Sequence, residues 1–104
     1  MDFYSLANAF LDIAKNSRIP YEERLVKNTA GKDWEVDTVL VLDRDWKYET
    51  AVRKEGFRYG KWIVVAGVDD KEEAIKKHDI WCALMDSDID MITDVYTGKV
   101  FKRS

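Results

Sequence analysis

Trp34-Glu35-Val36-Asp37-Thr38-Val39-Leu40-Val41-Leu42, broken by Asp43-Arg44-Asp45 and resumed by Trp46-Lys47-Tyr48-Glu49-Thr50-Ala51-Val52-Arg53, is the stretch that decides the fold. In its first half Trp34, Val36, Thr38, Leu40 and Leu42 share one face, and Glu35, Asp37, Val39 and Val41 share the other. Such a strand starts half-exposed and ends buried on both sides, as a central strand does. In its second half Trp46, Tyr48, Thr50 and Val52 again share a face. The charged break between them is far too short for a crossover, so the two strands are expected to be antiparallel neighbours.

Downstream, Gly56-Phe57-Arg58-Tyr59-Gly60 reads as a loop bounded by glycines, and residues 62–66 as a wholly apolar third strand. At Gly67-Val68-Asp69-Asp70 the hydrophobic period changes from 2 to 3.6. Asp70, with Glu73 three residues later, is a capping box, so a helix is predicted from there to about Met85. Its inner stripe is Ala74, Ile75, His78, Trp81, Cys82 and Met85, with Lys71, Lys76, Lys77 and Asp79 outside. Asp86-Ser87-Asp88 ends it. Residues 91–96 and 99–102 then read as a terminal hairpin across Thr97-Gly98, or as one strand and a tail. Upstream, Phe3, Leu6, Ala7, Phe10, Ile13 and Ala14 predict an amphipathic helix over residues 3–16, ended before Ile19-Pro20. Residues 21–27 form a strand of poor alternation, and residues 28–33 a polar turn. The expected fold is therefore α+β, a single domain over residues 1–104. An antiparallel sheet of three to five strands would carry two helices packed on one face.

Composition sets bounds on function without naming one. The chain has 104 residues, 46% hydrophobic, 36% charged and 12% aromatic, with a net charge of -3. That is too apolar and too weakly charged for a disordered chain, and no apolar run approaches the roughly 18–20 residues of a membrane span. The start Met1-Asp2-Phe3-Tyr4 lacks a basic region, so no signal peptide is expected. The lone cysteine, Cys82, excludes an internal disulfide and suits a reducing compartment. A soluble, cytoplasmic protein with no membrane association is the expectation. Charge is balanced through residue 68, and nine acids face six bases over residues 69–104. There is neither the basic face of a duplex-DNA binder nor the acidic excess of a strong DNA mimic.

Three constellations carry chemistry on paper. Asp86, Asp88 and Asp90 alternate as in a calcium loop, but Met91 and Thr97 stand where that loop needs glycine and glutamate, so the stretch reads as a solvated acidic turn. His78 and Cys82 lie four residues apart on one helix face, yet no second cysteine or histidine exists to complete a zinc site. A histidine hydrogen-bonded under the sheet beside an apolar cysteine is the plainer reading. The sequence holds no nucleophile elbow, phosphate loop or dinucleotide fingerprint. No catalytic residue, metal or cofactor is therefore expected. Finally, Arg53, Lys54, Arg58 and Lys61 interleave with Phe57, Tyr59 and Trp62, the combination of cations and aromatic faces that binds single-stranded nucleic acid. The same residues also fit a hairpin loop folded onto the core, or a protein-binding loop. Four tryptophans in so short a chain favour a binding module or a homodimer.

The run Val36-Asp37-Thr38-Val39-Leu40-Val41-Leu42, then Tyr48-Glu49-Thr50-Ala51-Val52, then Asp69-Asp70-Lys71-Glu72-Glu73-Ala74-Ile75-Lys76-Lys77-His78, resembles a widespread group of small, uncharacterised tailed-phage and prophage proteins. That group shows a V-S-T-V strand, a Y/F-E-T-M-V-F strand and a helix opening T-E-E-A-x-x-G-H. Here Ala51, Arg53 and Lys77 replace its methionine, phenylalanine and glycine. The resemblance spans about half the chain and implies origin rather than mechanism: a phage or prophage accessory protein in the bacterial host cytoplasm. The first expectation is thus a non-enzymatic protein that binds a host or phage protein and inhibits a host nuclease or defence system. Its contact surfaces would be the 56–60 loop and the acidic residues Asp86, Asp88, Asp90 and Asp94. The alternative is a single-stranded nucleic-acid binder using Arg53, Lys54, Phe57, Arg58, Tyr59 and Lys61.

Overall fold

The computed structural model describes residues 19–42 and 44–104. The helix predicted over residues 3–16 lies outside the described residues. After Pro20, whose carbonyl accepts the amides of Glu23 and Arg24, a single helical turn α1 (Tyr21–Arg24) leads into strand β1 (Leu25–Ala30). Strands β2 (Trp34–Leu40), β3 (Tyr48–Lys54) and β4 (Ile63–Val68) follow. Then come helix α2 (Lys71–Met85) and the short strands β5 (Met91–Thr93) and β6 (Val100–Lys102). The first four strands form one antiparallel sheet in sequence order, and β5 and β6 form a second, two-stranded one. The fold is α+β. No helix among the described residues is long and apolar enough to cross a membrane.

The central hairpin is as its alternation predicts, with Trp34 opposite Lys54 and Leu40 opposite Tyr48. β1 differs from the expectation: residues 21–24 are helical, and Asn28, Thr29 and Ala30 continue the strand rather than turning. Two tertiary contacts override the local polarity here. Buried Arg24 donates from Nε to Ile19 O (3.1 Å) and from Nη1 to Leu40 O (2.9 Å), closing the helical turn against β2. Asn28, Thr29 and Ala30 find ladder partners in Asp37, Val36 and Glu35. The turn is thereby confined to residues 31–33. There the Trp34 indole lies so close over Gly31 that a Cβ would sit 2.2 Å from it.

Helix α2 opens as its capping box predicts, with the Asp70 carboxylate accepting from Glu73 N at 3.0 Å. It lies across β2 and β3. Ala74, His78 and Met85 are buried, while Trp81 and Cys82 of the same stripe are half-buried. The core beneath it joins Val36, Val52, Ile63 and Val65 of the sheet to Met85, Phe57 and Ile92. Each such side chain contributes about 1.5–3 kcal/mol on full burial. The terminal hairpin forms over shorter strands than its sequence suggests. Asp94 captures the amides of Tyr96 and Thr97 in the connecting turn, and Val95 N donates to Val64 O (2.9 Å), fastening it to β4.

Candidate functional site

At the turn end of the sheet, residues 56–60 run through a backbone that few sequences tolerate. Gly56 has φ 91° and Gly60 φ 75°, and between them the non-glycine residues Arg58 (φ 48°) and Tyr59 (φ 55°) both sit in the left-handed region. For residues with a Cβ this costs about 1–2 kcal/mol each. The loop is held in that form by its own amides: Phe57 N donates to Lys54 O (3.2 Å), Gly60 N to Phe57 O (2.9 Å) and Lys61 N to Arg58 O (3.0 Å). Phe57 is fully buried in the core. Arg58 donates to Trp62 O (2.7 Å), with its guanidinium 5.1 Å above the Phe101 ring. Tyr59, between these anchors, is 93% exposed, and among the described residues its side chain makes no hydrogen bond or ring contact. Beside it a cleft of about 560 Å³ opens between the loop and the 31–34 turn, lined by Gly31, Trp34, Lys54, Gly56, Tyr59 and Gly60 among others.

The basic–aromatic residues of the sequence do not share one surface. Arg53 pairs with Glu35 (Nη2 to Oε1, 2.6 Å) and stacks 4.9 Å from the Trp62 ring. Lys54 is only 6% exposed. Its ammonium donates to Met85 O at the end of α2, where the helix dipole favours a cation, and lies 3.6 Å from Asp33. Phe57 belongs to the core, Arg58 folds back on Trp62 and Phe101, and Lys61 and Tyr59 stay at the surface. Strand alternation put Lys54 on the face that also carries Thr50 and Val52. That signal was present in the sequence, but the charge of Lys54 masked it.

The acidic residues are likewise spread over separate tasks. Asp86 accepts from Trp34 Nε1 (3.2 Å), Asp88 pairs with Arg103 (3.0 Å), the Asp90 carbonyl accepts Arg103 N (3.1 Å), and Asp94 shapes the β5–β6 turn. No group of three metal-ligating side chains occurs among the described residues. Arg103 brings two regions together that the sequence kept apart. It holds Asp88 and Ile89 O (2.7 Å) on one side and stacks 5.1 Å over Phe57 on the other, so the 86–90 stretch and the 56–60 loop are neighbours.

His78 is fully buried under the sheet. Its Nδ1 lies 2.8 Å from the Thr38 hydroxyl, its Nε2 lies 2.9 Å from that of Thr29, and Thr38 continues to Thr50 at 2.8 Å. Burial, reinforced by Lys27 and opposed by Asp79, lowers its pKa below the ordinary histidine value. Burial also pushes the Cys82 thiol up, against a smaller opposing effect of its hydrogen bond with Thr29. A histidine with both nitrogens occupied and a thiol disfavoured as thiolate make neither a metal pair nor a nucleophile–base pair.

Sequence reasoning missed a polar lattice on the opposite face of the sheet. Tyr21 Oη donates to Asp37 (2.7 Å), Asn28 Nδ2 bridges Asp37 (2.9 Å) and Glu35 (2.8 Å), and Glu35 holds Arg53. Burial, then the Asp37 carboxylate, drives the Tyr21 hydroxyl far above its usual pKa. Only the ladder register, which sets Asn28 opposite Asp37, brings these residues together.

Compared with protein-family models, with curated proteins and with solved structures, the chain matches none of them.

Proposed function

We propose that this is a small, non-enzymatic phage or prophage accessory protein that works in the bacterial cytoplasm by binding another protein, host or phage. Inhibition of a host nuclease or defence system is the finer form of that reading. The origin rests on the strand and helix motifs of residues 36–78. The mode of action rests on Tyr59. A bulky aromatic is held in solvent on a left-handed backbone while its neighbours Phe57 and Arg58 are anchored, and its own side chain makes no hydrogen bond or ring contact among the described residues that would offset the strain. Tyrosine is favoured as an interface anchor because it brings a large contact area with few rotatable bonds. The open cleft beside the ring adds a concave surface to the projecting one.

Single-stranded nucleic acid is the second reading, supported by the exposed Tyr59 and Lys61; the internal contacts of Arg53, Lys54, Phe57 and Arg58 weaken it. An affinity pull-down of the tagged protein from bacterial host lysate, with and without nuclease, separates the two. The protein-binding reading expects one protein recovered under both conditions and lost with Tyr59→Ala. Recovery only without nuclease, abolished when Arg58 and Lys61 become glutamate, would replace it with nucleic-acid binding. A partner retained in full by Tyr59→Ala would overturn the assignment of the site.

A further inference from the structure

We infer that Arg103 and Ser104 are positioning residues for the Tyr59 loop, a clasp on which its strained shape depends. The consequence for binding rests on the reading of Tyr59 above, but the clasp itself is a property of the molecule alone. Three consecutive loop residues are gripped by the end of the chain in reverse order. Ser104 donates to Gly56 O from both its amide (2.7 Å) and its hydroxyl (3.1 Å). The Arg103 guanidinium covers the Phe57 ring at 5.1 Å, and its Cγ stands 3.5 Å from where a Cβ on Gly56 would be. The Phe101 ring of β6 lies 5.1 Å beneath the Arg58 guanidinium. The next residue in line, Tyr59, is the exposed one.

Arg103 is in turn immobilised by three hydrogen bonds to the segment after α2: Nη2 to Asp88 Oδ1 (3.0 Å) and Ile89 O (2.7 Å), and its amide to Asp90 O (3.1 Å). The grip therefore transmits the position of the helix end to the loop. A left-handed pair of non-glycine residues persists only when its surroundings over-determine it. Here the loop's three internal hydrogen bonds are backed by contacts from residues 101, 103 and 104.

Amide hydrogen exchange on the native protein and on Arg103→Ala and Ser104→Pro tests this without a partner. The reporters are the Gly60 and Lys61 amides, which close the turn on Phe57 O and Arg58 O. The clasp expects their exchange to accelerate about tenfold or more in both variants while β2 and β3 amides keep their rates, because the opening is local. Arg103→Lys, which keeps the cation over Phe57, should restore most of the protection. Unchanged Gly60 and Lys61 exchange in Ser104→Pro, the milder variant, would overturn the proposal even if Arg103→Ala disturbs the whole sheet. The same variants in the pull-down should reduce recovery of a Tyr59-dependent protein. If Tyr59→Ala loses no partner but exchange responds, the binding reading fails and the clasp stands; if exchange does not respond, the clasp fails alone.

Discussion

The His78 layer and the Tyr59 loop violate the usual residue placements in opposite ways. One puts a polar ring where apolar side chains belong, and the other puts an aromatic ring where polar ones belong. The first is resolved inside the molecule, because both imidazole nitrogens meet threonine hydroxyls and Thr38 passes the chain of hydrogen bonds on to Thr50. A buried polar group so satisfied specifies how α2 seats on the sheet. The second is left unresolved: the strain at Arg58 and Tyr59 gains no contact for the Tyr59 ring among the described residues. Cost with an internal return marks architecture, and cost without one marks a surface shaped for something else.

The largest expected effects belong to the buried rings of the two regions, His78 and Phe57. His78→Ala removes one hydrogen-bond partner from each of Thr29 and Thr38 and opens a cavity under α2, so unfolding stability should fall by about 2–4 kcal/mol in a denaturant titration. A loss below about 1 kcal/mol would mean that the layer is not the seat of the helix. Phe57→Ala should cost about 3–5 kcal/mol on the same measurement, since that ring is core although it belongs to the loop.

The pH dependence of stability sharpens the contrast. The unfolded chain takes up the His78 proton near pH 6.5, and the folded chain resists it because burial, then Lys27, outweigh Asp79. The unfolded state therefore binds more protons below that pH. Stability should be level above about pH 6.5 and decline as pH falls from there toward the depressed folded value, by at most about 1.4 kcal/mol per pH unit. His78→Asn should remove this slope. The Asp79 carboxyl, held below its ordinary value by Lys27, adds its own slope only below pH 3.8, and His78→Asn leaves that one in place.

The smallest effect belongs to the exposed ring. Tyr59→Gly relieves a positive φ and removes no internal contact, so it should raise stability by about 0.5–1 kcal/mol. The same change should lose whatever protein the native chain captures. Destabilisation by more than about 1 kcal/mol would show that the ring is part of the fold, and the contrast with His78 would collapse.

Local signals made β2, β3, β4 and α2 legible in advance: alternation in the first two strands, a wholly apolar run in the third, a break too short for a crossover, and a capping box at a change of period. His78 could be placed on the inner stripe for the same reason. The basic–aromatic segment was the misleading one. Its composition resembles a nucleic-acid surface, but alternation sends Lys54 inward to Met85 O while Arg53 turns outward to Glu35. The acidic stretch after α2 reads as a turn in the sequence, but the partners of Asp86 and Asp88, Trp34 and Arg103, are too distant in sequence for a local pattern to name.

What the sequence by itself determined is therefore the α+β order, the central strands and the capped helix, because hydrophobic period and capping act over a few neighbouring residues. Only the tertiary structure decided that the polar residues 28–30 are strand, that Lys54 is buried and that Arg103 joins the acidic stretch to the Tyr59 loop. Those outcomes depend on hydrogen-bond and ring partners brought together by the register of the sheet and the path of the chain end, which no local pattern encodes.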